Sequence, residues 1–356
     1  MNLLPDSGSG PESRRSGSGS VPFVRTLPEI LSAALVAVAF LQWLPVLAFF
    51  FPVPLFCVLF RSGKYRFMHA TVAAFVLDVA AGTGMLVLQK NALSGAVLAA
   101  SGEAALFILP MLCVVLPMNI RFRYRIAIAG LVCTLGWVSF IFLSGAYSSI
   151  SDLVRSAAEE TSLAINSMVP AGFDRTQLDT QFSPAALADM LLRIISCSVL
   201  PVCTGIYGLG CFLGNMVARK MAGTRVPRLD LASFYNDFWL FVPLIGGMIG
   251  VIAGSWVSSK FLSAVSWNVL LVSASFFFLQ GLGISLFFSR RRQRPGGLTR
   301  FFRFLFLALL VLTGGWLWLC GLLMITGVAE LFVPLRSRFD NKDNTDPTPG
   351  RGIDHK

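Results

Sequence analysis

Histidine is nearly missing from this 356-residue chain, which has only His69 and His355. That scarcity argues against histidine-pair metal sites, zinc-protease motifs and most serine–histidine arrangements. Charge is scarce as well, at 13% of residues, with 18 acids against 29 Lys and Arg. The cysteines, at positions 57, 113, 133, 197, 203, 211 and 320, form no Cys-x-x-Cys pair and all lie in or beside apolar runs. They read as small apolar fillers rather than as disulfides or zinc ligands. No phosphate-cradling glycine loop with Lys-Ser or Lys-Thr is present, and no Gly-x-Ser-x-Gly, so neither a self-powered ATP pump nor a serine hydrolase is expected. The chain reads as no enzyme, a carboxylate-only intramembrane chemistry being the one enzymatic route these absences leave. No cofactor is called for.

What the chain has in abundance is oil. Apolar residues make up 55% of it, 31 of them Phe, and the mean hydropathy is +0.72. That excludes a soluble globular domain and predicts an all-α, polytopic transmembrane bundle of eight to nine membrane segments. Residues 1–28, with Ser-Gly repeats, read as a flexible tail and not as a signal peptide. Residues 339–356 read as a second tail. The first apolar stretch, 29–60, would be about 48 Å long as one helix, and it contains Pro45, Pro52 and Pro54. It must break, either into segments near 29–44 and 46–60 or into one span plus a re-entrant piece. Seven further apolar runs follow, near 67–88, 92–117, 126–144, 186–218, 236–258, 264–289 and 304–329. They divide the chain into an amino-terminal membrane half (29–144), an outer loop (145–185) and a carboxyl-terminal membrane half (186–338).

The +11 net charge is not a nucleic-acid signature, because most of the basic residues sit in short loops between apolar runs. Arg61, Lys64 and Arg66 mark one loop, and Arg121, Arg123 and Arg125 the second. Arg219, Lys220, Arg225 and Arg228 mark the third; Arg290, Arg291, Arg292, Arg294, Arg300 and Arg303 mark the fourth. The intervening loops carry only Lys90, Arg155, Arg175, Arg193 and Lys260, so the four basic loops are cytoplasmic. If residues 29–60 cross twice, the amino terminus is inside and the carboxyl terminus outside; with one crossing, the amino terminus is outside. Trp239, Trp256 and Trp267 fall where interfacial aromatic belts are expected.

Two acids lie inside apolar runs. Asp78 is the twelfth residue of 67–88 and Glu103 the twelfth of 92–117, so a hairpin turning near Lys90 places both about 18–20 Å from the turn. Gly82, Gly95 and Ala99 share faces with them at four-residue spacing, which would let the carboxyls approach. Each acid costs on the order of 2.5–3.5 kcal/mol at mid-helix on insertion scales, so neither should face lipid. A shared proton, a cation or a cationic ligand would each satisfy the pair, as would separate hydrogen bonds to backbone carbonyls. Gly210 and Gly214, and Gly246, Gly250 and Gly254, form Gly-x-x-x-Gly faces expected to pack those two helices against each other, with dimerisation as the alternative. Asn236 and Asp237 read as helix-capping residues and Gln280 as an interhelical hydrogen-bonding group. In the outer loop Ile150, Leu153, Val154, Ala157, Ala158, Ala164 and Ile165 form an apolar stripe opposite Asp152, Arg155, Glu159 and Glu160. A short amphipathic helix is expected there, serving as a lid, a docking surface or a connector resting on the bilayer.

Three short stretches carry a resemblance. Pro52-Val-Pro54-Leu55 before Arg61-Ser-Gly63, Leu279-Gln280-Gly281-Leu282, and Gly327-Val-Ala-Glu330 followed by Arg336-Ser-Arg338 resemble the YybS-like family of multi-span bacterial membrane proteins. The resemblance implies a bacterial inner-membrane location but no particular activity. The amino-terminal half is similar to substrate-binding components of energy-coupling-factor transporters, which implies that Ala33 and Ala37 meet a coupling ATPase or another membrane partner. The expected role is small-molecule binding or transport at a pocket containing Asp78 and Glu103. The alternative is a non-transporting scaffold for envelope or cell-division machinery.

Overall fold

The computed structural model describes residues 23–42, 45–88, 102, 104–115, 121–144, 147–168, 183–222, 226, 229–291 and 315–336. Among these residues there are helices and no strands. The α-helices are α1 (Phe23–Gln42), α2 (Pro52–Ser62), α3 (Lys64–Leu88), α4 (Phe122–Ser144), α5 (Tyr147–Met168), α6 (Pro184–Ala222), α7 (Phe241–Trp256), α8 (Lys260–Arg291) and α9 (Trp316–Phe332). Five helical segments are long and apolar enough to cross a membrane: Lys64–Met85, Phe122–Ile141, Pro184–Ala222, Phe238–Trp256 and Lys260–Ser289. Shorter apolar helices occupy Leu27–Gln42, Leu47–Ser62, Ala104–Val114 and Leu317–Phe332. A membrane-embedded helical bundle is what these elements make, because in hydrocarbon only a helix satisfies its own backbone hydrogen bonds.

The helices group into two compact units, Met1–Leu229 and Asp230–Lys356. The long helix α6, expected to open the carboxyl-terminal half, packs instead on α2 and α4 of the first unit. Its start is capped: Ser183 Oγ accepts the Ala186 amide at 3.2 Å and Pro184 occupies the first turn.

In the first unit the prolines break the opening stretch. α1 starts at Phe23, earlier than the expected boundary, and ends at Gln42; a 3-10 turn at Pro45–Phe50 and then α2 follow. The side-chain pairs fix the path. Glu29 at the start of α1 meets Ser62, Arg61 and Arg66, while Gln42 at its end meets Asp78. Helices α1 and α3 therefore run parallel, and the chain between them goes out and comes back. The amino-terminal part of α1 lies beside the basic Arg61–Arg66 turn. The core is aromatic: Phe51 packs edge-on to Phe107 and Tyr207, and Phe107 edge-on to Trp137. Tyr207 donates its hydroxyl to the Phe107 carbonyl at 2.8 Å, as a buried phenol requires.

In the second unit α7 and α8 are antiparallel, since Gly247, Gly250 and Gly254 pass over Leu270, Ser266 and Ser263 in turn. α8 also crosses α9 closely. Gly281 lies against the Leu323 carbonyl and Gly327 against the Phe277 carbonyl, an approach that any side chain at either glycine would block. Beyond α9, Arg336 bonds to Phe234, in the segment that leads into α7. The carboxyl end of α9 therefore lies beside the segment that leads into α7.

The expected contact between the two glycine helices is also corrected. A methyl group on Gly210 would lie 2.7 Å from Pro52 Cβ, and one on Gly214 would lie 2.7 Å from Phe56 Cβ, so this face meets α2. Gly250 and Gly254 meet α8, while Gly246 has nothing within 4 Å and Gly247 makes the contact in its place. Each glycine face is used within its own unit.

Candidate functional site

Asp78 sits in α3, fourteen residues after Lys64, and is 0% exposed. From the level of Glu29 and Arg66, where the charged cluster lies, both α1 and α3 run about 18–20 Å before reaching Gln42 and Asp78. That is well inside a hydrocarbon core of about 30 Å. There Gln42 Nε2 donates to Asp78 Oδ1 at 2.9 Å. An apolar side chain at position 42 would cost less to bury, so the amide belongs to the acid. Gln42 was passed over in the sequence, although a lone polar side chain within the apolar stretch 29–60 is a usable signal. The surroundings are small and closely packed, with Ala37, Ala70 and Ala74 all buried nearby on the same two helices.

Glu103, the other expected member of the pair, and Gly95 and Ala99 with it, lie outside the described residues. The residues on either side of Glu103 are described. A methyl group on Gly102 would lie 3.1 Å from the Phe140 ring of α4, and Ala104 is buried. Ala37 is 1% exposed and Ala33 half-buried, both packed against the core of their own unit. This corrects the expected partner face: four-residue alanine spacing serves intramolecular packing here, and Leu27, Leu31 and Leu35 are the large residues that α1 presents outward.

A second buried polar centre lies in the unit Asp230–Lys356, formed from residues that local sequence reading kept apart. Glu330 on α9 is 2% exposed. Gln280 Nε2 donates to its Oε2 at 3.1 Å, and Arg336 Nε pairs with its Oε1 at 3.1 Å. Arg336 also donates Nη1 to the Phe234 carbonyl at 2.9 Å and Nη2 to the Gln280 carbonyl at 3.2 Å. Asn236 completes the set. Its backbone amide donates to Gln280 Oε1 at 3.1 Å, and Nδ2 to the Phe276 carbonyl at 2.8 Å. Asn236 thus ties the segment leading into α7 to α8, whereas Gln280 plays the interhelical role expected of it. Burial lowers the Arg336 pKa, with Glu330 and then Asp230 opposing the shift, and an arginine so far above neutrality stays a cation. The elements of this centre are two of the stretches that carry the family resemblance, brought together by the Gly281–Gly327 crossing.

The two centres differ in what they can do. Arg336, Glu330 and Gln280 bind one another, which suits a structural lock. Asp78 is a buried carboxylate beside a neutral amide, and a proton, a cation or a hydrogen-bond donor is the complement such a group takes. No group of three or more His, Cys, Asp or Glu able to hold a metal occurs among the described residues. A family model described as Predicted membrane protein (DUF2232) matches residues 30–325. No curated protein and no solved structure matches the chain.

Proposed function

We propose that this chain, which belongs to that family of predicted membrane proteins, binds a small solute at Asp78 and serves as the solute-binding part of a transport system. The proposed setting is the cytoplasmic membrane of a bacterium, with energy from a partner subunit or an ion gradient. One observation carries the reading: a fully buried carboxylate deep in the hydrocarbon, held by Gln42 of another helix. An acid at that depth is costly to keep, and binding is the role that compensates the cost. The solute class that follows is one presenting a cationic or hydrogen-bond-donating group. Glu103, in the segment that supplies Phe107 to the same core, is the second proposed ligand group.

Scaffolding is the competing reading, and the internally satisfied Glu330–Arg336 centre favours it for the unit Asp230–Lys356. Native mass spectrometry of full-length protein released from mild detergent separates the two. Solute binding predicts a non-lipid small molecule on the wild type that is absent from Asp78→Asn. Identical spectra for both, with only envelope or division proteins co-purifying, would establish the scaffold.

A further inference from the structure

Helices α4 and α6 meet at a glycine. A methyl group on Gly130 would lie 2.9 Å from the backbone of Thr204, so the two backbones are in close contact there. Three residues further along α4 is Cys133, and next to Thr204 on α6 is Cys203; they are 1% and 7% exposed. Both cysteines are free. Their thiols are hydrogen-bonding neighbours, and the Tyr207 hydroxyl is a neighbour of the Cys133 thiol in the same way. The two contacts, 130 with 204 and 133 with 203, advance in opposite senses along the two helices, as an antiparallel pair requires. Cys211, the other buried cysteine of α6, lies eight residues beyond Cys203, about 12 Å along the helix.

A lone buried cysteine is an apolar filler, but two thiols side by side have a chemistry that one lacks: loss of two electrons and two protons joins them. The product carries no charge, so a dry core accommodates it without the cost of burying an ion. The sulfurs sit in the same packed core as Phe51, Ala129 and Tyr207, which admits only an oxidant that is small and uncharged.

We propose that Cys133 and Cys203 form a redox dithiol that hydrogen peroxide oxidises to a disulfide tying α4 to α6. Cys203 is the less covered thiol and reacts first. Its sulfur attacks one peroxide oxygen as the O–O bond breaks, and the thiol proton leaves with the departing oxygen as water, giving a sulfenic acid. The Cys133 sulfur then attacks the Cys203 sulfur. The S–S bond forms, the S–O bond breaks, and the released hydroxyl takes the Cys133 proton as a second water. Two thiols are oxidised and one peroxide is reduced. Pro201, two residues before Cys203, leaves α6 one backbone hydrogen bond short, so the bridge holds the helix beside a place where it can bend. The inference is independent of any solute at Asp78.

To test it, full-length protein in mild detergent is treated with hydrogen peroxide, quenched with catalase, unfolded in N-ethylmaleimide and digested without reductant for mass spectrometry. Sulfoxide at Met168, which is 80% exposed, shows that the peroxide was active. The expected result is a peptide pair joined through Cys133 and Cys203, lighter than the reduced pair by two hydrogens and separated by dithiothreitol, at doses where Cys211 is still fully alkylated. In Cys133→Ala, dimedone should label Cys203 and no bridge should form. Full alkylation of Cys133 and Cys203 at doses that oxidise Met168 would overturn the proposal and leave both as fillers. A bridge from either of them to Cys113 or Cys211 would overturn it too. The wild-type digest decides the question even if Cys133→Ala does not fold.

Discussion

Removing the Glu330 charge by Glu330→Gln should destabilise the unit Asp230–Lys356 far more than a change of one functional group suggests. The side chain is 2% exposed, and Arg336 Nε lies 3.1 Å from Oε1. A glutamine keeps an acceptor for Gln280 but leaves the guanidinium without its counter-charge, a loss of about 3–5 kcal/mol for a buried pair. Arg336→Met removes more: Glu330 is orphaned, and the Phe234 and Gln280 carbonyls each lose a charged donor. The double variant Glu330→Gln/Arg336→Met escapes the orphaned charge. It should cost less than the two single changes together, with a coupling of about 2–3 kcal/mol. Cys320, on α9, is the only cysteine after residue 211, so its alkylation during denaturant titration, read by mass spectrometry, reports unfolding of this unit. Additivity of the two single effects would refute the reasoning, because it would mean that the acid and the guanidinium do not sense each other.

Gly281→Ala and Gly327→Ala should each cost about 1–3 kcal/mol or more by the same assay, because the added methyl meets a backbone carbonyl that can move only with its helix. Gly246→Ala, with open space around it, should be neutral or stabilising by up to about 1 kcal/mol. Gln42→Leu should cost about 0.5–1.5 kcal/mol in thermal or denaturant unfolding, the net value of one intramolecular hydrogen bond. Asp78→Asn, which keeps an acceptor for Gln42, should fold normally, and a fold lost in Asp78→Asn would count against a binding role.

Most of the architecture was legible because it is written in runs. Hydrocarbon demands about twenty apolar residues per crossing, so the long apolar helices follow from composition. The prolines at 45, 52 and 54 announced the break between α1 and α2. Pairing was not legible. Gly210 and Gly214 signal a close neighbour without naming α2, since every membrane helix is apolar and small faces fit many partners. For the same reason Ala33 and Ala37 suggested an external partner and found an internal one. Run length alone does not show that the end of α9 lies beside the segment leading into α7, and the Arg336 contacts do. Asp78 stood out in the sequence as an acid among apolar residues, whereas its partner Gln42 did not, being 36 positions away. The Asn236–Gln280–Glu330–Arg336 centre was present as separate short motifs, and its unity depends on a glycine crossing that no local pattern encodes.

The account depends on Asp78 being a group that meets a solute and is not merely satisfied by Gln42. Dicyclohexylcarbodiimide, which enters the bilayer and attacks protonated carboxyls, can be applied to protein carrying its co-purified molecule and to protein stripped of it by exhaustive detergent exchange. Mass spectrometry should find Asp78 modified in the stripped protein and protected in the loaded one, with protection restored when the extracted molecule is added back. Equal modification of Asp78 in both states would contradict the claim, leaving the acid a structural partner of Gln42.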